Sequence, residues 1–407
     1  MQNKPAVLMI AYTYYQSDPR VMREAEAAVS GGFPVHFLAL RRDNDPKIEQ
    51  IHGVIVHHLE QQRYRGGGHV RYLLSYLEFF LRCFFKSTCL FFQKGCRIIH
   101  VNNMPDFLVF STVIPKLLGA KVVLDIHDPM PNTFASKFKS GEKGFFYRVL
   151  LWQELLSVWY SDRTITVHEP VKEGVLLKHG LRADSIQTVA NFADEEVFPL
   201  RPSYAVNGKV RLVFHGTILE RSGLRNLMLA VSKLRHRDKV HVKIIGDGDF
   251  SPELEGLIAT LGLSDVVEFD NRHHPVREIP RLIADCNVGL VPLEISSITN
   301  YALPLKLLEY TSLGLPVITV RNAAISYYFR EEDCLFYQWD SVESLREVLD
   351  RVAQEPELLL NYRQKAVAAR EKFLWSKEKV KYIALLQQMS PGGTEARTRY
   401  ATGGVAA

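Results

Sequence analysis

Apolar, β-branched runs alternate along the chain with stretches of helical period, the pattern of parallel sheets joined by crossover helices. In the first half the pattern predicts strands over 6–12, 35–40, 98–101, 121–126, 163–167 and 185–190. These runs are continuous rather than alternating, as strands covered on both faces require. Ser17 or Asp18 can cap the first helix, Pro19 suits its first turn, and Gly31-Gly32 ends it. The period lapses over 196–209, a Pro- and Asn-containing stretch that reads as a linker. A second series follows, with strands predicted over 210–215, 240–245, 266–269, 287–291 and 315–320.

The expected fold is therefore α/β, two Rossmann-like doubly wound domains over 1–195 and 210–372 facing a central cleft. Ligands then sit at the carboxyl ends of the strands, between the domains. A last amphipathic helix is predicted within 373–389, starting at Trp375. Residues 390–407 are rich in Gly, Thr and Ala without period and read as a disordered tail. One segment stands apart. Between 70 and 92, Val70, Leu73, Leu74, Leu77, Leu81, Phe84 and Phe85 follow helical spacing, and Tyr72, Tyr76, Phe79 and Phe80 widen the stripe. Arg71, Glu78, Arg82 and Lys86 line a narrow polar face, too many charges for a span. Two readings stay open: a helix packed between the sheet and its neighbours, or an interfacial helix on a membrane.

Composition changes this picture little. The chain has 407 residues, 47% of them hydrophobic and 23% charged, a globular balance long enough for two domains. A net charge of +5 with no dense basic block does not point to nucleic acid, though it suits a phosphorylated substrate or an anionic surface. Five cysteines at spacings that match no zinc pattern read as free thiols of a reducing compartment. A first strand explains the N-terminal apolar run better than a signal peptide does, so a cytoplasmic location is expected.

Three elements carry candidate chemistry. After the 210–215 strand, His215-Gly-Thr-Ile-Leu-Glu-Arg-Ser-Gly223 lets a ligand approach at Gly216, adds the forked donor Arg221, and opens a helix whose free amides attract phosphate. In Ala302-Leu-Pro-Leu-Lys-Leu-Leu-Glu309, Pro304 starts a helix that puts Lys306 and Glu309 three residues apart on one face. A carboxylate at Glu309 can accept both hydroxyls of a ribose. Val123-Leu-Asp-Ile-His-Asp128 puts His127 at a strand's carboxyl end, flanked by Asp125 and Asp128, where an imidazole can hydrogen-bond a sugar hydroxyl.

In this order and at these separations the elements resemble glycosyltransferase family 4, retaining enzymes of the GT-B fold. Ser17-Asp-Pro-Arg-Val-Met-Arg-Glu-Ala, Ile245-Gly-Asp-Gly, Cys286-Asn-Val-Gly-Leu-Val-Pro292 and the Trp375 helix are similar as well, and the likeness spans roughly residues 5–389. The resemblance implies a nucleotide diphosphate sugar as donor, a glycan or lipid-linked acceptor, and a role in polysaccharide or glycoconjugate synthesis. It implies no cofactor and no metal. By it, Gly216, Thr217 and Arg221 sit by the pyrophosphate, Glu309 on the ribose, and Gly246 and Gly248 near the base. Tyr301 and Leu303 fall on the donor side and His127 faces the transferred sugar, so His127, Arg221 and Lys306 are the expected catalytic groups. The Trp375 helix would return to brace the first domain.

The departures are specific. Counting back eight from Glu309 gives Tyr301 where many members have a first glutamate, and Ser222 replaces a lysine often found before the glycine at 223. The first loop lacks glycines, and Tyr14 and Tyr15 are candidates to shape an acceptor pocket. Two other readings compete. A single-domain GT-A transferase would use a metal at Asp43-Asn-Asp45 or Asp247-Gly-Asp249. A non-catalytic nucleotide-sugar binder could share the fold. The last expectation is that the enzyme works at the inner face of a membrane through the 70–92 helix.

Overall fold

Two sheets organise the chain. The computed structural model describes residues 4–64, 69–137, 144–206, 208–297 and 299–391. The first sheet holds β1 (Ala6–Ile10), β2 (Val35–Leu40), β3 (Ile48–Ile51), β4 (Val54–Leu59), β5 (Cys96–Asn102), β6 (Lys121–Ile126), β7 (Arg163–Thr166) and β8 (Ile186–Thr188) in the order β3-β4-β2-β1-β5-β6-β7-β8. All neighbours pair in parallel except the edge hairpin β3–β4. The second sheet holds β9 (Val210–His215), β10 (Val240–Ile245), β11 (Val267–Asp270), β12 (Val288–Val291), β13 (Val317–Val320) and β14 (Leu335–Tyr337), ordered β11-β10-β9-β12-β13-β14. That order reverses beside β9, as it does beside β1 in the first sheet, and these switch points open the crevices where ligands bind.

β1 shows why the runs are continuous. Every residue of Ala6–Ile10 is buried. Leu8 and Ile10 join the core on one face, Val7 and Met9 the core on the other. The first face is covered by α2 (His69–Lys94) and α5 (Phe145–Tyr160), with α3 (Val113–Leu117) packed on α2 and α4 (Met130–Lys137) on α5, and the second by α1 (Pro19–Ser30) and the Trp375–Met389 helix. That last helix lies on α1, and its Tyr382 hydroxyl pairs with His100 Nδ1 at 2.7 Å. Residues 392–407, most of the segment read as a tail, lie outside the described residues.

The hairpin and β14 were not expected. β3 is an edge strand with alternating exposure, and β4 carries His57 and His58, which read as polar but are buried. β14 is three residues long. The phase of α2 also differs from the expected stripe. Tyr76, Phe79, Cys83, Leu90 and Phe91 face the sheet, whereas Leu73, Leu74, Leu77, Leu81 and Phe85 point outward. The side chains of Val70 and Tyr72 lie outside those described.

Candidate active site in the interdomain cleft

β9 ends at His215, and the chain then needs backbone freedom. Gly216 lies at φ 114° and Gly246, after β10, at φ 136°. The two loops lie backbone to backbone: Gly216 N donates to Ile245 O at 2.9 Å and Ile218 N to Asp247 O at 2.9 Å. A Cβ on Gly246 would overlap the Gly216 carbonyl, and one on Gly248 the Ile218 carbonyl. These glycines therefore fix the loop that ends β9, whatever they do for a base. Gly223, left-handed at φ 68°, caps the Leu224–Ser232 helix under the Pro292 carbonyl. Thr217 and Arg221 stand exposed on this wall. Arg221 has no side-chain partner among the described residues, so its guanidinium is available to an anion.

Lys306 and Glu309 come from the Leu305–Ser312 helix, directly below. The Lys306 ammonium sits 3.6 Å from the Phe214 ring centroid and packs against Gly216. Burial pushes it down to about 7, with Glu309 opposing. Glu309 is buried and accepts from His215 Nε2 at 2.7 Å, while the Tyr310 hydroxyl pairs with His215 Nδ1 at 2.8 Å. That chain of partners fixes the carboxylate before any ligand arrives.

The opposing wall is the carboxyl edge of the first sheet. His127 follows β6, its backbone N–H donating to Asn103 Oδ1 and its Nε2 lying 2.7 Å from Asp125 Oδ2. Asp125 is buried and gripped by Arg20, Nη2 to Oδ2 at 2.8 Å and Nε to Oδ2 at 3.0 Å. Burial opposes its ionisation, but Arg20 and His127 hold the carboxyl well below the usual range. Nε2–H donated to that carboxylate leaves His127 Nδ1 as the acceptor. Glu24, Asp125 and His127 bring ligand atoms within 4.8 Å of one another. Arg20 already lies 3.0 Å from Glu24 and 2.8 Å from Asp125, so the cation of this cluster is a guanidinium. Of the two Asp-x-Asp triplets, one lies in the loop before β3 and the other after β10, and neither lines the cavity.

Between the domains is a cavity of about 380 Å³, in the range of small-molecule sites, and Gly216, Thr217, Arg221, Lys306 and Glu309 are not among its lining residues. His127, Asn132, Thr133 and His168 line it from the first domain, Tyr301 and Leu303 from the second. Tyr301 also crosses the boundary: its hydroxyl accepts from Lys178 Nζ at 3.2 Å, and its ring lies where a Cβ on Gly174 would be. The tyrosine pair of the first loop falls elsewhere. Tyr15 is buried against Phe37, at 4.8 Å between centroids, and is core rather than pocket. Tyr14 pins a loop, accepting from Arg63 N at 3.0 Å under the Arg42 guanidinium. Neither tyrosine lines the interdomain cavity.

Sequence reasoning missed Arg20, Arg23 and His168. Arg23 pairs with Asn191 and stacks over Trp375. Burial lowers its pKa, and Glu309 of the other domain is the largest opposing influence, which puts the two within electrostatic reach across the cleft. His168 is buried, which lowers it to about 4 and keeps it neutral. The available signal was Arg20, Arg23 and Glu24 on a helix that also places Val21, Ala25, Ala27 and Ala28 in the core.

Residues 20–197 match the family described as Glycosyltransferase Family 4, and residues 209–355 the family described as Glycosyl transferases group 1. An exopolysaccharide phosphotransferase of Streptomyces coelicolor is 24% identical over 207 residues, 50% of this chain and 21% of that protein. The chain thus matches about a fifth of the length of that curated relative. Among solved structures, sucrose-phosphate synthase from Thermosynechococcus elongatus is similar at TM-score 0.74 and 16% identity, over 95% of this chain and 99% of its own. Anabaena HepE in complex with UDP-glucose is similar at 0.68 and 13%, over 94% and 99%. These likenesses show the GT-B fold. Two tandem sheets also remove the single-domain GT-A reading.

Proposed function

The chain belongs to glycosyltransferase family 4 through its first half and to the glycosyl transferases group 1 through its second, and from that premise we propose that it moves a sugar from a nucleotide diphosphate donor to an acceptor hydroxyl with retention of configuration. The observation that carries the reading is a pair of polar clusters, one at the carboxyl end of each sheet. One offers Arg221, Lys306, a helix terminus and a fixed carboxylate; the other offers a histidine oriented by Asp125, which lines the cavity.

In the transfer, the bond from the anomeric carbon to the diphosphate oxygen breaks and its electron pair leaves with the nucleotide. The acceptor oxygen forms the new bond and gives up its proton to the departing phosphate. Negative charge that develops on the diphosphate meets Arg221, the Lys306 ammonium and the amides at the start of the Leu224–Ser232 helix. Glu309 accepts the ribose hydroxyls, and His127 orients the sugar, which lets positioning supply much of the acceleration. No metal is needed in this account, because cationic side chains and helix amides neutralise the charge. UDP is the first nucleotide to test, since HepE is described with UDP-glucose. The acceptor is a growing glycan carried on a lipid, met at a membrane surface that α2 touches, and an exopolysaccharide role fits the streptomycete relative.

A thermal-shift panel of nucleoside diphosphates and their sugars tests the donor half. Ligand at about 100 times its dissociation constant stabilises the folded state by about 2.7 kcal/mol. A clear shift with one base and none with the others is expected. No shift with any of them counts against a donor site.

A further inference from the structure

The outer surface of the first domain is inside out. Thirteen of the nineteen exposed large apolar side chains among the described residues lie on α2, α3 and its following residue, and α5. α5 shows the inversion most plainly. Its buried residues are Tyr147, Glu154, Ser157 and Val158, whereas Phe145, Phe146, Val149, Trp152 and Trp159 face out, Phe145 at 75% and Trp159 at 83% exposure. A water-facing helix has the opposite polarity. α2 repeats the theme with Leu73, Leu74, Leu77, Leu81 and Phe85, and α3 adds Leu117 at 81%.

These faces point the same way. α2 and α5 both pack on the Asp106–Thr112 turn, and both cover the same side of the first sheet, so their outward sides form one layer. α2 leads into β5 and α5 into β7, which makes each run against the strands it serves. Their first two turns, with Leu73, Leu74, Phe145 and Phe146, therefore lie beside the strands' carboxyl ends, on the side of the cleft. Phe146 contacts Phe134 of α4, at 6.2 Å between centroids, and α4 lends Asn132 and Thr133 to the cavity. The apolar layer runs to the rim of the cleft.

We propose that this three-helix layer, with α5 as its main anchor, lies in the headgroup region of an anionic bilayer and sets the mouth of the cleft against the lipid surface. Charge selects the occupant. α2 and α5 carry Arg71, Arg82, Lys86, Lys94 and Arg148 against one exposed acid, Glu78, since Glu154 is buried. Anionic lipid complements that excess, whereas a second copy of the chain would bring cation onto cation. No described helix is long and apolar enough to cross a membrane, which leaves a helix layer lying in the interface. Trp152 and Trp159 suit that depth, where an amphipathic ring has one end apolar and the other wet. The inference deepens the membrane-acceptor reading above and rests on it only for the claim that the acceptor enters from the bilayer.

The test uses the full chain with phosphatidylcholine vesicles, with and without phosphatidylglycerol. Flotation with the anionic vesicles is expected, together with quenching of tryptophan fluorescence by bromine-labelled lipid. Trp152→Phe with Trp159→Phe keeps flotation but loses most of the quenching, because Trp339 and Trp375 lie away from the layer. Phe145→Ser, Trp152→Ser and Trp159→Ser together lower vesicle binding at least tenfold, with circular dichroism and the UDP thermal shift unchanged. Flotation that survives this triple variant overturns the assignment of α5. A chain that does not float but forms a dimer dissociated by the same variant overturns the bilayer in favour of a second copy. Loss of the UDP shift in the unaltered chain fails the donor reading and leaves this one standing.

Discussion

Lys306 offers the sharpest consequence of the cleft's electrostatics. Its ammonium is packed on the Phe214 ring and pushed down to about 7, so at pH 8 only about one free enzyme molecule in ten carries the charge. A bound diphosphate places negative charge beside it and returns it toward about 10.4, its ordinary value. UDP binding at pH 8 should then take up about 0.9 of a proton, falling to about half at pH 7 and about a tenth at pH 6. Above pH 7 the apparent affinity should fall toward tenfold per unit, about 1.4 kcal/mol. Calorimetry in buffers of different ionisation enthalpy reads the uptake directly. The sign for stability is opposite. A lysine with a depressed folded value costs the native state as pH falls from about 10.4 toward 7, because only the unfolded chain gains the proton. Lys306→Met should therefore raise the melting temperature of the free chain at pH 7 to 8 while weakening UDP and abolishing proton uptake. Uptake indistinguishable from zero in the unaltered chain at pH 8 would refute the reasoning.

Three further outcomes follow from the same walls. Glu309→Gln should weaken UDP binding by about 1.5–3 kcal/mol and change turnover less, as loss of a contact present in ground and transition states does; equal UDP affinity would remove the ribose assignment. Arg221→Ala should cut turnover by about a hundredfold, whereas Arg182→Ala, which pairs with Asp184 at the surface, should not; matching kinetics for the two would sink it. Gly174→Ala should drive Tyr301 out of its seat and lower the melting temperature, and Tyr301→Ala in the same chain should recover most of that loss; additive losses in the double variant would show the two do not share a contact.

The strands were legible because burial on both faces forces unbroken apolar runs, as in β1 and β2. Partly solvated strands were not: Glu49 and Gln50 of β3, and the buried histidines of β4, break the pattern that marks a strand. The phase of α2 was unreadable for a physical reason. With Leu73, Leu77 and Leu81 outward and Tyr76, Phe79 and Cys83 inward, both sides of the helix are apolar, and a periodic stripe cannot tell core from lipid-like surface. Motif residues that end strands, such as His127 and Gly216, could be placed because the fold fixes what stands at a strand's carboxyl end. Arg20 and Arg23 could not, since an arginine on a helix reads as solvated until the Asp125 and Asn191 that receive it are brought over from more than a hundred residues away.

The central claim is that this cleft consumes a nucleotide diphosphate sugar without a metal. The most direct measurement is release of nucleoside diphosphate by the purified chain from a panel of UDP-, GDP-, ADP- and dTDP-sugars, in excess chelator, with acceptor lipids in anionic vesicles. Turnover of at least one donor is expected, undiminished by chelator and lost in Lys306→Met. Turnover that appears only when magnesium or manganese is restored, or a chain that binds a donor yet releases nothing from it with any acceptor, would contradict it.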